Sequence, residues 1–196
     1  MGGKAPQRIA LFGGTFDPVH NGHLDLVGQA KATCQLDRVV FIPCARSPFK
    51  EDATEAGAEE RFAMLEMAIA EKGWTDWAGV SRFEIDREPP SYSWRTAHHF
   101  RGTYPGAKLH WIVGGDQWEQ LDRWAESEKL RQWLEFIVVT RSGSETRPRP
   151  DWRATFLEFD HPASASAIRD GRGDPQWLPV SVADFIGKRT LYSSGT

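Results

Sequence analysis

The sequence is poor in cysteine and has no long hydrophobic run, and each shortage argues against a class of protein. The two cysteines, Cys34 and Cys44, lack metal-ligand spacing, so we expect reduced, buried thiols in a cytoplasmic protein rather than a secreted disulfide framework. No apolar segment approaches the length of a membrane span or a signal-peptide core, so no membrane partner is expected. The net charge of -3 argues against general nucleic-acid binding.

A common glycine pattern is also absent. The first apolar segment, "RIALF" at 8–12, is not followed by Gly-x-Gly-x-x-Gly, the fingerprint of dinucleotide-binding enzymes. An ordinary Rossmann dehydrogenase is therefore not expected.

Segments rich in β-branched and aromatic residues alternate with segments of helical spacing. We predict strands at 8–12, 38–43, 79–85, 108–114, 135–140 and 155–159, and helices at 21–34, 59–72, 91–103, 117–133, 164–170 and 179–188. This order predicts an α/β fold with a doubly wound, Rossmann-like parallel sheet, helices on both faces, and a single domain over 1–196. Ligands of such sheets bind beyond the carboxyl ends of the strands, so functional residues should directly follow strands.

The stretch "GGTFDPVHNGH" (13–23) follows the first strand and contains two glycines and two histidines. Gly13 and Gly14 would let backbone N–H groups approach an anion, and a helix beginning near residue 21 would add its N-terminal dipole. His20 and His23, three positions apart, can share one face of that helix. A packed turn without a ligand stays open as an alternative, and a zinc site lacks a third ligand. Asp17 is expected to fix the loop by hydrogen bonds rather than contact a substrate.

The whole string resembles the signature of the nucleotidyltransferases that carry the motif HxGH, in particular the bacterial nicotinate-nucleotide adenylyltransferase family. Further motifs of that family follow in order: "FIPCARSPFK" (41–50), "PPSYSWRT" (89–96), "WIVGGDQWEQLDRW" (111–124), "SASAIR" (164–169) and "VADFIGKRTLY" (182–192). Several motifs in register over nearly the whole chain are far more specific than one.

This resemblance implies transfer of AMP from ATP to nicotinate mononucleotide, which gives deamido-NAD and pyrophosphate in NAD biosynthesis. Magnesium is implied as a cofactor bound with the ATP triphosphate, held by phosphate oxygens and water rather than by a dedicated protein site. The implied catalytic residues are His20, His23, Lys50 and Arg169, which would contact the phosphates.

The resemblance also implies two sets of binding residues. For ATP they are Gly13, Gly14, Thr15, Phe16, His20, His23, Gly114, Asp116, Ser164, Ser166 and Arg169. For the mononucleotide they are Lys50, Tyr92, Ser93 and Trp124. Taken alone, Asp116 could be only a helix cap, and Trp124 could be a core residue of an amphipathic helix.

The chain departs from the family pattern at Phe49, Arg95, Ala163 and Ala165, where the family commonly has histidine, aspartate, isoleucine and serine. Arg95 could favour the acidic nicotinate mononucleotide over its neutral amide, or it could be a surface residue. The preference between these substrates, closure of the 47–60 loop over substrate, and a homo-oligomeric state all stay open.

Two kinds of alternative function also stay open. One is another enzyme of the same superfamily, such as a cytidylyltransferase or phosphopantetheine adenylyltransferase. The segments "SYS" and "GGDQW" argue against both. The other is a non-catalytic nucleotide sensor of the same fold, which binding residues alone cannot distinguish from an enzyme.

Overall fold

Six strands form one sheet in the order β3-β2-β1-β4-β5-β6 in the computed structural model, which describes residues 7–45 and 54–192. The strands are β1 (Arg8–Gly14), β2 (Arg38–Pro43), β3 (Ala78–Val80), β4 (Lys108–Gly114), β5 (Glu135–Thr140) and β6 (Ala154–Glu158). The helices are α1 (Asn21–Thr33), α2 (Ala58–Glu71), α3 (Ser93–Thr103), α4 (Gly115–Glu119), α5 (Ser127–Trp133), α6 (Ala165–Arg169) and α7 (Val180–Arg189). Single 3-10 turns lie at Leu121–Arg123 and Pro175–Trp177.

The strand pairing confirms the predicted α/β class. β1 and β4 pair in parallel, with Leu11 opposite Trp111, and β4–β5 and β5–β6 are parallel as well. The strand order changes direction between β1 and β4, which makes the sheet doubly wound. Apolar runs buried on both faces, such as residues 39–42 of β2, are typical of strands in parallel sheets.

The chain divides into two compact units. One contains the described part of 1–12 with 30–40 and 92–160, and in it the buried ring of Trp118 contacts the rings of Phe136, Trp152 and Phe156. The other contains 13–29 and the described parts of 41–91 and 161–196. The prediction of a single domain over 1–196 stays a prediction.

The predicted strand at 79–85 is wrong beyond Val80. Arg82 binds the carboxylates of Glu59 and Asp86, and the Ser81 hydroxyl accepts the N–H of Phe83. These bonds hold the chain in another conformation after three strand residues, although the segment contains the apolar residues Val80, Phe83 and Ile85.

The predicted helix at 117–133 is also wrong, because the segment forms α4, a 3-10 turn and α5 in succession. Trp124 has an extended backbone conformation (ψ 141°), and Glu126 is left-handed (φ 58°), so α5 starts afresh after them. The sequence contains good helix formers throughout, and their propensity is overridden at these two residues.

A smaller prediction can be compared directly with the structure. Cys34 and Cys44 are buried thiols that take part in no disulfide bond, as expected. Within the described ranges, no helix has both the length and the apolar character needed to cross a membrane.

Candidate active site

The loop between β1 and α1 brings His20 and His23, the two histidines predicted to bind phosphate, into contact. The rings of His20 and His23 stack with their centroids 3.7 Å apart, at the position where α1 begins. The backbone N–H of His20 donates to Nδ1 of His23 at 3.3 Å. In its neutral form His23 therefore carries its proton on Nε2, which is a hydrogen-bond donor.

Both histidines are held in the uncharged form. Burial and the neighbouring His161 lower the pKa of His20 to about 4. Burial, followed by the charges of His20 and His161, lowers the pKa of His23 as well. Nδ1 of His20 is buried and has no hydrogen-bond partner among the described residues. Buried polar atoms without a hydrogen-bond partner are uncommon, and a ligand or a water molecule can supply the missing hydrogen bond.

Phe16 gives Gly14 a role that the sequence did not suggest. A Cβ on Gly14 would lie 2.8 Å from Cζ of Phe16, so the ring packs directly on the glycine backbone. The same ring makes an edge contact with His23, with centroids 5.1 Å apart. Gly14 is thus required for packing behind the histidines, and its approach to an anion stays a prediction.

Asp17 joins the histidine loop to distant parts of its own unit. Its buried carboxylate accepts the N–H groups of Glu55 and Ala56 at 2.9 and 3.1 Å, and the hydroxyl of Tyr192 at 2.7 Å. Asp17 therefore does fix the loop, but through partners 38, 39 and 175 positions away. Burial, together with the Asp17 carboxylate, raises the pKa of Tyr192.

Arg169 belongs to the same network. Its Nη1 donates to the carbonyl oxygen of Asp17 at 2.7 Å, and its Nε donates to the Glu55 carboxylate at 2.9 Å. A phosphate gripped through Nε and Nη2 would have to displace Glu55 from this edge of the guanidinium. The predicted phosphate contact of Arg169 thus competes with a carboxylate of the chain itself.

The two predicted serines lie at the start of α6. Ser164 precedes the helix and its hydroxyl accepts the N–H of Ala167 at 3.4 Å, while the Ser164 and Ser166 hydroxyls lie 2.9 Å apart. Ser164 is therefore a helix cap in this structure.

In the other unit, Gly114 is the last residue of β4, and Asp116 follows the strand as predicted. Asp116 is exposed in the first turn of α4, and its Oδ1 would lie 2.6 Å from a Cβ on Gly114. The glycine therefore leaves room for the carboxylate, which remains available to solvent.

The predicted mononucleotide residues Tyr92 and Ser93 lie at the start of α3 and are half-buried. Arg95 is exposed, and its guanidinium lies 5.2 Å from the centre of the Tyr92 ring. Trp124 is also half-buried, lies outside any helix, and contacts Trp111 edge-on. Its exposure and position do not fit the core residue of an amphipathic helix, a role that the buried Trp118 fills instead.

Two residues of the sequence analysis, Phe49 and Lys50, lie outside the described residues. The loop prediction for 47–60 is likewise covered only from residue 54 onward.

Comparison with known proteins places the chain in a family. A sequence model of the family described as cytidylyltransferase-like matches residues 11–171. A probable nicotinate-nucleotide adenylyltransferase of Methylacidiphilum infernorum is 44% identical over 190 residues, which cover 94% of this chain and 92% of the relative. The chain belongs to this nucleotidyltransferase family. A Thermus thermophilus protein with the same name is 36% identical, over 94% of this chain and 99% of its own length.

The family assignment confirms the resemblance drawn from the sequence motifs, and solved structures agree on the fold. A Plasmodium falciparum nicotinic acid mononucleotide adenylyltransferase complexed with NaAD superposes with a TM-score of 0.72, covering 95% of this chain and 97% of that one. Sequence identity is only 16%, so this match supports the nucleotidyltransferase fold and no individual residue role.

Four residues around the histidine loop were missed by the sequence analysis of this family member. Arg61 is fully buried, and its guanidinium donates to the carbonyl oxygens of Thr15 and Ala56. The others are Glu55, Tyr192 and His161. Arg61 lies on an amphipathic helix, where arginine usually faces solvent, so its burial could not be expected from the sequence. For all four residues, only the contacts in the folded structure reveal the role.

Proposed function

We propose that this protein transfers AMP from ATP to the 5′-phosphate of nicotinate mononucleotide and releases pyrophosphate. A phosphate oxygen of the mononucleotide would attack the α-phosphorus of ATP, and the bond from that phosphorus to the bridging oxygen of pyrophosphate would break. The observation that carries the proposal is the near full-length, 44% identical relative named for this activity. The stacked histidine pair after β1 supplies matching chemistry.

His20 and His23 would act on the phosphates by hydrogen bonding and position. The nucleophile is already an anion, so the reaction needs no strong base, and the lowered pKa of each histidine argues against an acid or base role at neutral pH. Neutral imidazole N–H groups beside the first turn of α1 can donate to oxygens that gain charge in the transition state.

Arg169 would hold the outer phosphates after exchanging Glu55 for a phosphate oxygen, and Lys50 would assist. The described residues contain no group of three His, Cys, Asp or Glu side chains that could hold a metal ion. The magnesium we propose would therefore bind phosphate oxygens and water, where it neutralises triphosphate charge.

Three further residues would contact the sugars and the pyridine ring. The exposed carboxylate of Asp116 is suited to accept hydrogen bonds from the ribose hydroxyl groups. The half-buried ring of Trp124 offers a face for stacking, and Ser93, at the start of α3, can donate to the nicotinate carboxylate.

The decisive test is a pyrophosphate-release assay with ATP, magnesium and a panel of acceptors. We expect turnover with nicotinate mononucleotide and less with nicotinamide mononucleotide or phosphopantetheine. ATP binding without release of pyrophosphate from any acceptor would contradict the proposal and favour a nucleotide sensor.

Two kinds of variant test the assigned roles. His20→Ala and His23→Ala should each lower kcat about 100-fold or more, because each removes a donor that acts on the transition state. Trp124→Ala should raise KM for the mononucleotide and leave KM for ATP nearly unchanged. A near-normal kcat in both histidine variants would refute their role, and an unfolded Trp124 variant would favour its core role.

A further inference from the structure

A third histidine, His161, packs beside the pair, although it lies outside the HxGH motif. A Cβ on Gly22 would lie 3.0 Å from Nδ1 of His20 and 3.0 Å from Nδ1 of His161. Both imidazoles therefore rest on the bare Cα of the same glycine, between the two motif histidines in sequence. His161 comes three residues after the end of β6 and three before Ser164.

The His161 ring is hydrogen-bonded at one nitrogen and faces a carboxylate at the other. Its Nδ1 accepts the N–H of Ala163 at 3.0 Å, so the neutral ring carries its proton on Nε2. Nε2 lies 3.6 Å from Oδ2 of Asp25, on the second turn of α1. The other oxygen of Asp25 lies 3.4 Å from Nζ of Lys72. Asp25 is thus anchored on one side and faces His161 on the other.

We propose that His161 is a positioning residue for the phosphate-binding histidines: its ring, hydrogen-bonded to Ala163 and facing Asp25, holds the ring of His20 on Gly22 and against His23. The proposal rests on the proposed function, in which His20 and His23 bind the triphosphate. His161 acts through the other two histidines and need not contact a substrate.

Position matters here because the His20 ring has little else to orient it. Nδ1 of His20 has no hydrogen-bond partner among the described residues, so packing against its neighbours must fix the ring. His161 supplies one neighbour and His23 the other. The same proximity has an electrostatic consequence, because a proton on His161 opposes protonation of both His20 and His23.

His161→Asn separates this role from an ordinary structural one. The Oδ1 of asparagine can replace Nδ1 as the acceptor for Ala163, so the local turn is kept while the ring is lost. We expect kcat to fall about 10-fold, as for other residues that orient a functional histidine, with little change in KM for ATP. Without substrate, NMR titration should show the His20 imidazole protonating at higher pH than in the parent protein, because the nearby charge of His161 is gone. Asp25 and Lys72, which lie on the far side of His161, are present in both proteins. His98→Asn, at an exposed position of α3, is the matched control and should change neither readout.

A parental kcat, or an unchanged titration of His20, in a folded His161→Asn protein would overturn the proposal. If that variant does not fold, His161→Gln fills more of the ring's volume, and the same expected and contrary results apply. If the parent protein itself transfers AMP to no acceptor, the proposed function fails, and the substrate-free titration alone decides the role of His161.

Discussion

Acidification should destabilise this protein through His20 before most carboxylates are protonated. The unfolded chain has a His20 pKa near 6.5, whereas the folded protein lowers it to about 4 through burial and the proximity of His161. Between these values the unfolded state binds more protons than the folded state, so the free energy of unfolding falls as the pH falls. Above pH 7 both states carry a neutral His20, and the effect is absent.

The size of the effect follows from the same pair of values. At about 1.4 kcal/mol per pKa unit, the interval from 6.5 to about 4 corresponds to a loss of about 3 kcal/mol when complete, of which about 2 kcal/mol is present at pH 5. With an m-value of about 2 kcal/mol/M for urea, the unfolding midpoint should fall by about 1 M between pH 7.5 and pH 5 from this residue alone.

The assay is urea unfolding followed by tryptophan fluorescence, for which the nine tryptophans of the chain provide signal. His20→Asn cannot take up the proton, so its midpoint should fall by about 1 M less than that of the parent protein over the same interval. His98→Asn removes an exposed histidine and should behave as the parent does. If the midpoints of the parent and His20→Asn fall in parallel, His20 is not held neutral by the fold, and the reasoning is refuted.

Three further changes test contacts in the second unit. Tyr192→Phe removes the 2.7 Å hydrogen bond to the buried Asp17 carboxylate and should cost about 1.5–3 kcal/mol in the free energy of unfolding, measured in urea. Glu55→Gln removes the carboxylate that competes for Arg169 and should lower KM for ATP by up to about 5-fold, measured by pyrophosphate release. Glu71→Ala removes the acceptor for the first N–H groups of α7 and should cost about 1 kcal/mol, which thermal unfolding would report.

The first two of these changes have a control at an unrelated position. Tyr104→Phe should change stability by less than about 0.5 kcal/mol. Glu59→Gln breaks an exposed pair with Arg82 and should leave KM for ATP unchanged. A fully stable Tyr192→Phe protein, or a higher KM for ATP in Glu55→Gln, would contradict the assigned contacts, as would an unchanged melting temperature for Glu71→Ala.

The fold was predictable where hydrophobic pattern and burial agree. The segments 38–43, 108–114 and 135–140 are strands with the predicted bounds, because their apolar runs are buried in the parallel sheet. The segments 79–85 and 117–133 were not predicted correctly. Side-chain hydrogen bonds around Arg82 interrupt the first, and a left-handed residue, Glu126, interrupts the second. Neither interruption has a glycine or proline to signal it.

The candidate site was predictable in its motif and not in its surroundings. His20 and His23 are three positions apart, and helical geometry alone brings them to one face. The contact of Tyr192 with Asp17 spans 175 positions, and that of Arg169 with Glu55 spans 114. No local period encodes such contacts, so pattern analysis could name Arg169 from its motif and could not find its partner.

In the mechanism proposed above, the charges around the histidine loop would stabilise the transition state more than the bound ground state. Arg169 is already paired with Glu55, so part of its attraction for a phosphate is offset by the contact it must give up. His20 and His23 are neutral, and a neutral donor attracts the ground-state triphosphate less than an imidazolium would. In that mechanism, the hydrogen bond from each histidine would strengthen as negative charge builds on the oxygens of the α-phosphate. Donors that gain strength only as the reaction proceeds raise kcat, whereas donors that bind both states equally lower only KM.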